Sequence, residues 1–528
     1  MDPIKNLIGE IPFSADIYWL LRNKHKPFNS HFRLEGLRKY LPEMCSSARL
    51  FGQTSALGNR IFIFASLHYW IEQATVIGLA LAGMGHRVNL GYLPYADWEK
   101  PLTPFDLRRQ GLYARESLNP ARTLIEVQSL LDVHPVASLP ASIQEAVHQV
   151  SSFDVQYTSQ TEEVDLSSQL YKLRFQRNSQ AAKSGLAWLQ SGKPDLLVVP
   201  NGTILELGVL YRLARHLNIP VVTYEFNDQK EQIWLAQNDE IMHQNTDRLW
   251  QMRLSLPLTL EQRTKIETLE SARQGGRSFG KSERLWQNAP SAGSASARIE
   301  LGLDDRPVVL LATNVLGDSL TLGRNLICPS MSDWITRTVQ FFAGRPDIQF
   351  VIRIHPGEQL AHGPSMLKVI QTALPELSAH IHVVKPDEKV NTYDLIELAS
   401  LGLVYTTTTG LEMALQGIPV IAVGETHYRN AGFCLAPNTW QEYIELLESS
   451  LPDLPSRRLT AEQIDLAWNY AYRFFFEFPQ PFPWRLLHFW KDYQLWPLER
   501  LLGAEGQQLF GRTFNYLAGE PIDWKGLN

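Results

Sequence analysis

Short runs of apolar, often β-branched residues recur along the chain, and segments with helical periodicity separate them. The clearest example is Asp195–Val199, which is followed by the turn Pro200-Asn201-Gly202, a helix to about Leu217 and the run Val221–Tyr224. Runs that are apolar at every position and alternate with helices are typical of parallel strands buried on both faces. The pattern therefore predicts an α/β fold with doubly wound sheets.

The alternation of strands and helices occurs in two blocks. Small polar residues interrupt it at 273–300, and it restarts at Val308. The chain has 528 residues, whereas single hydrophobic cores stop growing at roughly 250–300 residues. We therefore predict two Rossmann-like domains, with ligands bound in the cleft outside the carboxyl ends of their strands. The expected divisions are an N-terminal extension (1–49), a first domain (50–272), a linker or loop (273–300), a second domain (301–460) and aromatic-rich C-terminal helices (461–528).

Composition excludes several classes of protein. Lys and Arg total 49 against 55 Asp and Glu, a net charge of −6, which argues against a nucleic-acid partner but allows a local basic pocket. The three cysteines form no CxxC pair, so neither a disulfide framework nor a structural zinc site is expected. The N-terminus lacks the basic start of a signal peptide, and no apolar run is long enough to span a bilayer. We expect a cytoplasmic protein, with attachment to the inner face of the membrane left open.

The densest functional signal is the segment Val404–Val420, in which a strand ends in consecutive threonines that precede a short helix. Hydroxyls and free backbone N–H groups at such a turn are suited to holding phosphate, although a helix capped by threonine is the simpler alternative. Glu412, in the first turn, could favour the helix dipole or accept hydrogen bonds from a ribose diol. The candidate ligand-binding residues of the turn are Thr406, Thr407, Thr408, Thr409 and Gly410.

A second signal lies about fifty residues earlier, in the segment Phe350–Glu358. The alternation of the strand predicts that Arg353 and His355 share one face, and Pro356 ends the strand. A histidine at this position could bind a diphosphate or protonate a leaving phosphate. The alternative is a histidine that only hydrogen-bonds a neighbouring loop.

Weaker candidates follow other strands. Asn314, in the loop 313–319, could touch a sugar or a phosphate, and Arg429 could neutralise phosphate charge. In the first half, Glu225 and Asp228 follow the run Val221–Tyr224, and His68 follows the first strand. Each of these three is a candidate general base facing the predicted cleft.

Three segments together resemble the bacterial capsule-polysaccharide biosynthesis family, a group of GT-B glycosyltransferases that includes Kdo transferases. They are Thr313-Asn314-Val315, the run Arg353–Glu358, and the run from Thr406 to Gly432. The resemblance covers about 308–433, whereas the first half is similar only in its α/β rhythm.

The resemblance implies a GT-B-like fold with two Rossmann-like domains facing a cleft, and with C-terminal helices that cross back to the first domain. It implies a bacterial glycosyltransferase that moves a sugar from a nucleotide-sugar donor to a surface polysaccharide or glycolipid, without metal or cofactor and in some cases within an assembly complex. His355 and the threonines would hold the donor phosphate, and Glu412 the ribose. The acidic motif that carries the catalytic base in sialyltransferase-like relatives is absent, so Glu225 is the base that we favour.

Two other functions stay open: a nucleotide-sugar 2-epimerase of the same fold, and a non-catalytic scaffold of a polysaccharide assembly complex. The aromatic residues of the segments Ala461–Phe478 and Pro483–Leu502 also allow two interpretations. We expect them to form the apolar face of helices that cross to the first domain. The alternative is a patch that binds a membrane surface, but Glu477 and several prolines interrupt the amphipathic pattern that such a patch requires.

Overall fold

The computed structural model describes residues 11, 13–23, 31–53, 55–227, 229, 231–275, 290–454, 456–486 and 488–526. Candidate residue Asp228 and half of the predicted linker, residues 276–289, lie outside these ranges. The strands are β1 Arg60–Ser66, β2 Arg87–Leu93, β3 Glu126–Ser129, β4 Leu196–Pro200, β5 Val221–Phe226, β6 Gln232–Gln237, β7 Val308–Ala312, β8 Gln349–Arg353, β9 Ile381–Val384, β10 Ala399–Val404, β11 Val420–Ala422 and β12 Gln480–Pro481.

Helices connect and flank the strands. The α-helices are Ser14–Tyr18, Glu35–Gly52, His68–Gly83, Pro104–Leu118, Ala141–Ser159, Gln169–Gly192, Leu205–His216, Asp247–Arg253, Leu260–Gln274, Ser294–Glu300, Met331–Ala343, Met366–Ala373, Thr392–Leu398, Thr409–Leu415, Trp440–Ser450, Ala461–Tyr472, Phe489–Leu495, Leu498–Leu502 and Ala504–Leu517. Shorter 3-10 turns lie at Asn119–Thr123, Leu130–Asp132, Ile241–His243, Pro356–Leu360 and Leu451–Asp453, and π-helical turns at Trp19–Asn23 and Arg473–Glu477.

Local sequence explains where several of these elements begin. The helices Leu260–Gln274 and Ala461–Tyr472 both start with a capping box, in which Thr259 and Thr460 each bond the backbone N–H three residues on. The strands β4 and β7 are buried at every residue. They form as continuous apolar runs because helices cover both faces of each sheet.

The first sheet has the order β12-β6-β5-β4-β1-β2-β3. Strands β3, β2, β1, β4 and β5 pair in parallel, whereas β6 and β12 pair antiparallel at one edge. The order reverses between β1 and β4, so the loops after these two strands flank a crevice at the carboxyl edge of the sheet.

The second sheet repeats this arrangement with the order β11-β10-β7-β8-β9, all in parallel. Its order reverses between β7 and β10, so the loops after these strands flank the second crevice. The expected fold class is therefore confirmed: the chain has two doubly wound sheets in the GT-B arrangement. Strands β3, β6 and β12 are additional to the strands that the sequence predicted.

The C-terminal region crosses from the second domain back to the first, as expected. In the helical region after 461, Tyr470 donates a hydrogen bond to the His427 carbonyl (2.7 Å) and lies 2.5 Å from the Thr246 hydroxyl. Glu477 pairs with Arg253 at 2.8 Å. Further along, Phe482, Trp484 and Phe514 are fully buried, and Phe482 packs against Phe226 of β5. The aromatic-rich tail thus adds apolar core to the first domain.

None of the helices in the described ranges combines the length and the apolarity that crossing a bilayer requires.

Candidate functional site

Hydrogen bonds join the three loops that border the crevice of the second sheet. The Oδ1 atom of Asn314, after β7, accepts from the Thr406 N–H at 3.2 Å. The hydroxyl of Thr313 accepts from the His355 N–H at 3.0 Å. Because these contacts fix the ends of β7, β8 and β10 to one another, two of the sequence signals, the histidine and the threonine turn, lie at one site.

The threonine turn presents several hydroxyls at this site. The hydroxyls of Thr407 and Thr409 lie 3.0 Å apart, and the N–H of Thr409 donates to Thr407 Oγ1 at 3.3 Å. Thr408 occupies the N-cap position without a side-chain capping bond, and the buried Thr406 Oγ1 has no hydrogen-bond partner among the described residues. The helix Thr409–Leu415 has only 7 residues, so hydroxyls rather than a long helix dipole would hold an anion.

Gly410 is required by the close packing of this turn. The hydroxyl of Tyr428 donates to the Thr407 carbonyl at 2.7 Å. A Cβ atom built on Gly410 would lie 2.3 Å from that same hydroxyl oxygen. A larger residue would therefore displace Tyr428 and release the turn.

His355 caps the 3-10 turn Pro356–Leu360 and is half-buried. Its Nδ1 atom accepts from the Gly357 N–H at 3.0 Å. The hydrogen-bond network thus assigns the proton of a neutral ring to Nε2. In this tautomer the ring can donate a hydrogen bond through Nε2, which suits contact with a phosphate oxygen.

Arg353 is a buried cation at the end of β8, two residues before His355. Its Nη1 donates to the Lys385 carbonyl at 2.7 Å and its Nε to the Thr392 hydroxyl at 3.3 Å. Burial lowers its pKa to about 10, and the nearby Glu388 carboxylate opposes this change. Its side chain is directed towards the end of β9, where the Lys385 carbonyl accepts its hydrogen bond.

Glu412 is buried in an ion pair. Its Oε1 lies 2.7 Å from Nη1 of Arg273, on the helix Leu260–Gln274. The Arg273 guanidinium also lies over the ring of Phe475, at 4.3 Å from the ring centroid. A ribose would have to share Glu412 with this arginine.

Arg429 is held within its own loop region. Its Nη1 donates to the Ala422 carbonyl at 2.6 Å, and its Nη2 donates to the Pro437 carbonyl. The residue is buried. Its donors thus brace the backbone after β11, and the proposed contact with phosphate stays a prediction.

The first domain contributes Glu225 at the carboxyl end of β5. Its Oε2 accepts from Asn201 Nδ2 at 3.1 Å, and its Oε1 from the Phe226 N–H at 3.0 Å. The side chain is partly accessible to solvent, yet the surrounding protein desolvates it and raises its pKa. An accessible carboxyl with a raised pKa is suited to general acid–base chemistry.

His68 begins the helix after β1, on the same edge of the sheet. Its Nδ1 is buried without a hydrogen-bond partner among the described residues, and burial lowers its pKa. The preceding residue, Leu67, has φ of 68°, a conformation that non-glycine residues rarely adopt outside functional or strained turns.

Asp318, in the loop after β7, was not among the candidate residues from the sequence. Desolvation raises its pKa, and its Oδ1 accepts from the Leu320 N–H at 2.8 Å. Burial raises the pKa of the Tyr157 phenol, and the carboxyls of Asp318 and Glu225 raise it further. The Tyr157 phenol therefore interacts electrostatically with one carboxyl from each domain. Asp318 could have been predicted as a site residue, because it is an acid that follows the first strand of the second sheet closely in sequence.

A glycine allows the two domains to approach at this junction. Gly317 has φ of 68°, and a Cβ atom on it would lie 2.1 Å from the Gln156 carbonyl oxygen. The loop after β7 therefore lies directly against the end of the helix Ala141–Ser159, which carries Tyr157.

A buried charge network lies under the turn after β4. Arg174 bonds Asp154 at 3.0 Å and Glu206 at 2.8 Å, and these three side chains are almost completely excluded from solvent. The Oδ1 atom of Asp154 accepts from the Leu205 N–H at 2.6 Å. Leu205 has φ of 58°, so this bond holds a strained backbone conformation. The same turn carries Asn201, which orients Glu225.

Within the described ranges, no group of three or more His, Cys, Asp or Glu side chains is arranged to hold a metal ion.

The chain is similar to several solved structures. A β-Kdo 2,4 transferase, KpsC of Thermosulfurimonas dismutans, matches at 17% identity with a TM-score of 0.34, over 52% of this chain and 78% of its own. A UDP-GlcNAc 2-epimerase from Neisseria meningitidis matches at 13% identity and 0.23, over 79% and 99%. MurG of Acinetobacter baumannii matches at 13% identity and 0.27, over 83% and 99%. These values are too low to carry an argument about reaction or substrate. No protein-family model and no curated protein matches the chain.

Proposed function

We propose that the chain is a glycosyltransferase that moves a sugar from a nucleotide-sugar donor on the second domain to an acceptor on the first. The observation that carries the proposal is the pairing of two unlike sites across the domain junction. Hydroxyls and the His355 imidazole border the crevice of the second sheet. The Glu225 carboxyl, with its raised pKa, lies at the carboxyl edge of the first.

Each site matches one part of the reaction. As the bond between the sugar and the phosphate breaks, its electron pair moves to the phosphate oxygen. The Nε2–H of His355 and the hydroxyls of Thr407 and Thr409 stabilise that charge. Glu225 takes the proton of the acceptor hydroxyl as its oxygen bonds the sugar, and Asn201 holds the carboxylate in place.

From the resemblance of the segments at Thr313, Arg353 and Thr406, we infer that the acceptor is a surface polysaccharide or a glycolipid. From the same resemblance, we infer that the reaction needs no metal. Arg353, a buried cation at the end of β8, adds positive charge near the donor site, with Glu388 as its nearby carboxylate.

A thermal-shift screen of the purified protein with UDP-, GDP-, CMP- and dTDP-sugars tests donor binding. We expect one class of nucleotide sugar to raise the melting temperature. His355→Ala should reduce this shift and lower turnover about 100-fold, in line with the loss of one group that stabilises transition-state charge. The matched control is His362→Ala, because that side chain is exposed.

Two results would contradict the proposal. If no nucleotide sugar raised the melting temperature, the proposed donor site would be wrong. Release of an epimerised nucleotide sugar in the absence of acceptor would instead identify a 2-epimerase, in which Glu225 and Asp318 act on a single bound sugar.

A further inference from the structure

An exposed apolar stripe lies on the helical segment 14–23, the first that the structure describes. The segment is helical from Ser14 to Tyr18 and continues as the π-helical turn Trp19–Asn23. Phe13 is 73% exposed, Ile17 54%, Leu20 63% and Leu21 74%. The spacing of three and one residues places Ile17, Leu20 and Leu21 on one side of the helical segment, and Phe13 lies at its N-cap.

The opposite side of this segment is firmly attached to the protein. Asp16 forms an ion pair with Arg108 at 2.7 Å, and the Tyr18 ring packs edge-on against Phe105 at a centroid distance of 5.5 Å. Trp19 Nε1 donates to Glu116 at 3.3 Å. Because these contacts are all with the helix Pro104–Leu118, the apolar stripe is held facing away from the protein.

Charge is distributed unevenly along this part of the sequence. Residues 13–40 contain six Lys and Arg against Asp16 and Glu35, a net charge of 6 − 2 = +4, in a chain whose net charge is −6. The basic residues of this stretch are Arg22, Lys24, Lys26, Arg33, Arg38 and Lys39. An apolar helix face followed in sequence by a basic stretch is the combination that binds anionic bilayers, through burial of apolar area and attraction to lipid headgroups.

We propose that Phe13, Ile17, Leu20 and Leu21 form a membrane-binding stripe that enters the boundary between headgroups and acyl chains of an anionic bilayer. Four large apolar side chains exposed together are more than the surface of a monomeric protein usually leaves in water, and such a patch marks an interaction site. The aromatic-rich tail, which the sequence offered as an alternative membrane patch, has its large rings in the core. Surface attachment would hold the first domain, and with it the Glu225 edge, beside acceptors carried on lipid.

Flotation of the purified full chain with vesicles tests the proposal. Vesicles of phosphatidylglycerol mixed with phosphatidylethanolamine should carry the protein upward, and pure phosphatidylcholine vesicles should carry much less, with binding weakened by salt. The triple variant Ile17→Glu, Leu20→Glu, Leu21→Glu should reduce flotation about tenfold or more, because three carboxylates replace inserted side chains.

The matched control is the triple variant Leu166→Glu, Leu260→Glu, Ile299→Glu, whose leucines and isoleucine are 60%, 82% and 81% exposed elsewhere. It should float like the wild type. A Leu21→Cys protein labelled with a polarity-sensitive dye provides a second measurement, and its emission should shift to the blue on anionic vesicles. This readout does not depend on the stability of the triple variant.

Three outcomes would overturn the proposal: wild-type protein that does not float, a stripe variant that floats equally well, or a dye that reports water on the vesicles. A wild-type dimer that the stripe variant splits, without vesicle binding, would assign the stripe to contact between two copies. Flotation needs neither donor nor acceptor, so its failure leaves the proposed sugar transfer intact, and loss of transfer leaves flotation intact.

Discussion

Arg273 donates to Glu412 at 2.7 Å, so the carboxylate predicted to hold a ribose is already paired with a cation from a helix 139 residues earlier in the chain. Both side chains are about nine-tenths excluded from solvent. The pair joins the helix that precedes the second domain to the short helix after the threonine turn. It therefore links the position of the proposed donor site to the connection between the two domains.

Breaking this pair should destabilise the protein. We expect Arg273→Met and Glu412→Gln each to lower the free energy of unfolding by about 3 kcal/mol, because each breaks a buried ion pair, and Arg273 keeps only the longer contact with Glu270 at 3.8 Å. The double variant should lose much less than the sum of the single losses. Urea unfolding of the four proteins gives the coupling energy. Additive losses would show that the two side chains act independently.

Glu225→Gln should abolish most transfer activity while leaving the fold intact. The amide cannot accept the acceptor proton, and loss of a general base typically costs 10²–10⁴-fold in rate. In the wild type, activity should fall as pH drops through the raised pKa of Glu225, because only the ionised carboxyl can take the proton. Initial rates across pH measure both effects, with the exposed Glu163→Gln as control. An active Glu225→Gln enzyme would assign the base to another residue, with Asp318 the first to test.

Asp154→Asn should loosen the turn that carries Asn201. The substitution leaves Arg174 with one carboxylate and replaces a charged acceptor of the strained Leu205 N–H by a neutral one. We expect a loss of about 3–5 kcal/mol in stability, as for other broken buried ion pairs. Chemical denaturation measures it, and hydrogen exchange at the Leu205 amide should accelerate. Unchanged exchange at this amide would show that the strained turn does not depend on Asp154.

Glu72 should make stability depend on pH near neutrality. Burial raises its pKa to about 7, and the Trp490 indole N–H donates to its Oε2 at 2.9 Å. Between the ordinary value of 4.5 and 7, the folded protein retains a proton that the unfolded chain has lost. Its contribution to stability is thus complete below the lower value and decreases by about 3 kcal/mol as pH rises through the window. Glu72→Gln should remove this slope in thermal unfolding measured across pH, whereas Glu163→Gln should retain it. An unchanged slope in Glu72→Gln would assign the effect to another group.

The sequence predicted those parts of the fold that depend on neighbouring residues. Continuous apolar runs identified strands such as Val308–Ala312, and the threonines after Val404 marked the turn at the reversal point of the second sheet. Pairings between distant segments were not predictable, because nothing local encodes them. Arg273 and Glu412 belong to different helices, and β6 runs antiparallel although its neighbours suggested only parallel strands. The approach of Asp318 to Tyr157 depends on the docking of two domains, which periodicity does not report.

Strand β12 has a consequence for how the two domains can move. The chain leaves the first sheet after β6, builds the whole second sheet, and returns to add Gln480–Pro481 beside β6. The second domain is thus an insertion, connected to the first by two passages of the chain that lie close together at one edge of the sheet. Because both passages join the first domain at the edge of one sheet, the position of the second domain depends on the pairing of β12 with β6. Contacts of Glu162 with the N–H groups of Met331 and Ser332 hold the two domains together elsewhere, so a change in their relative position has to break both sets of bonds.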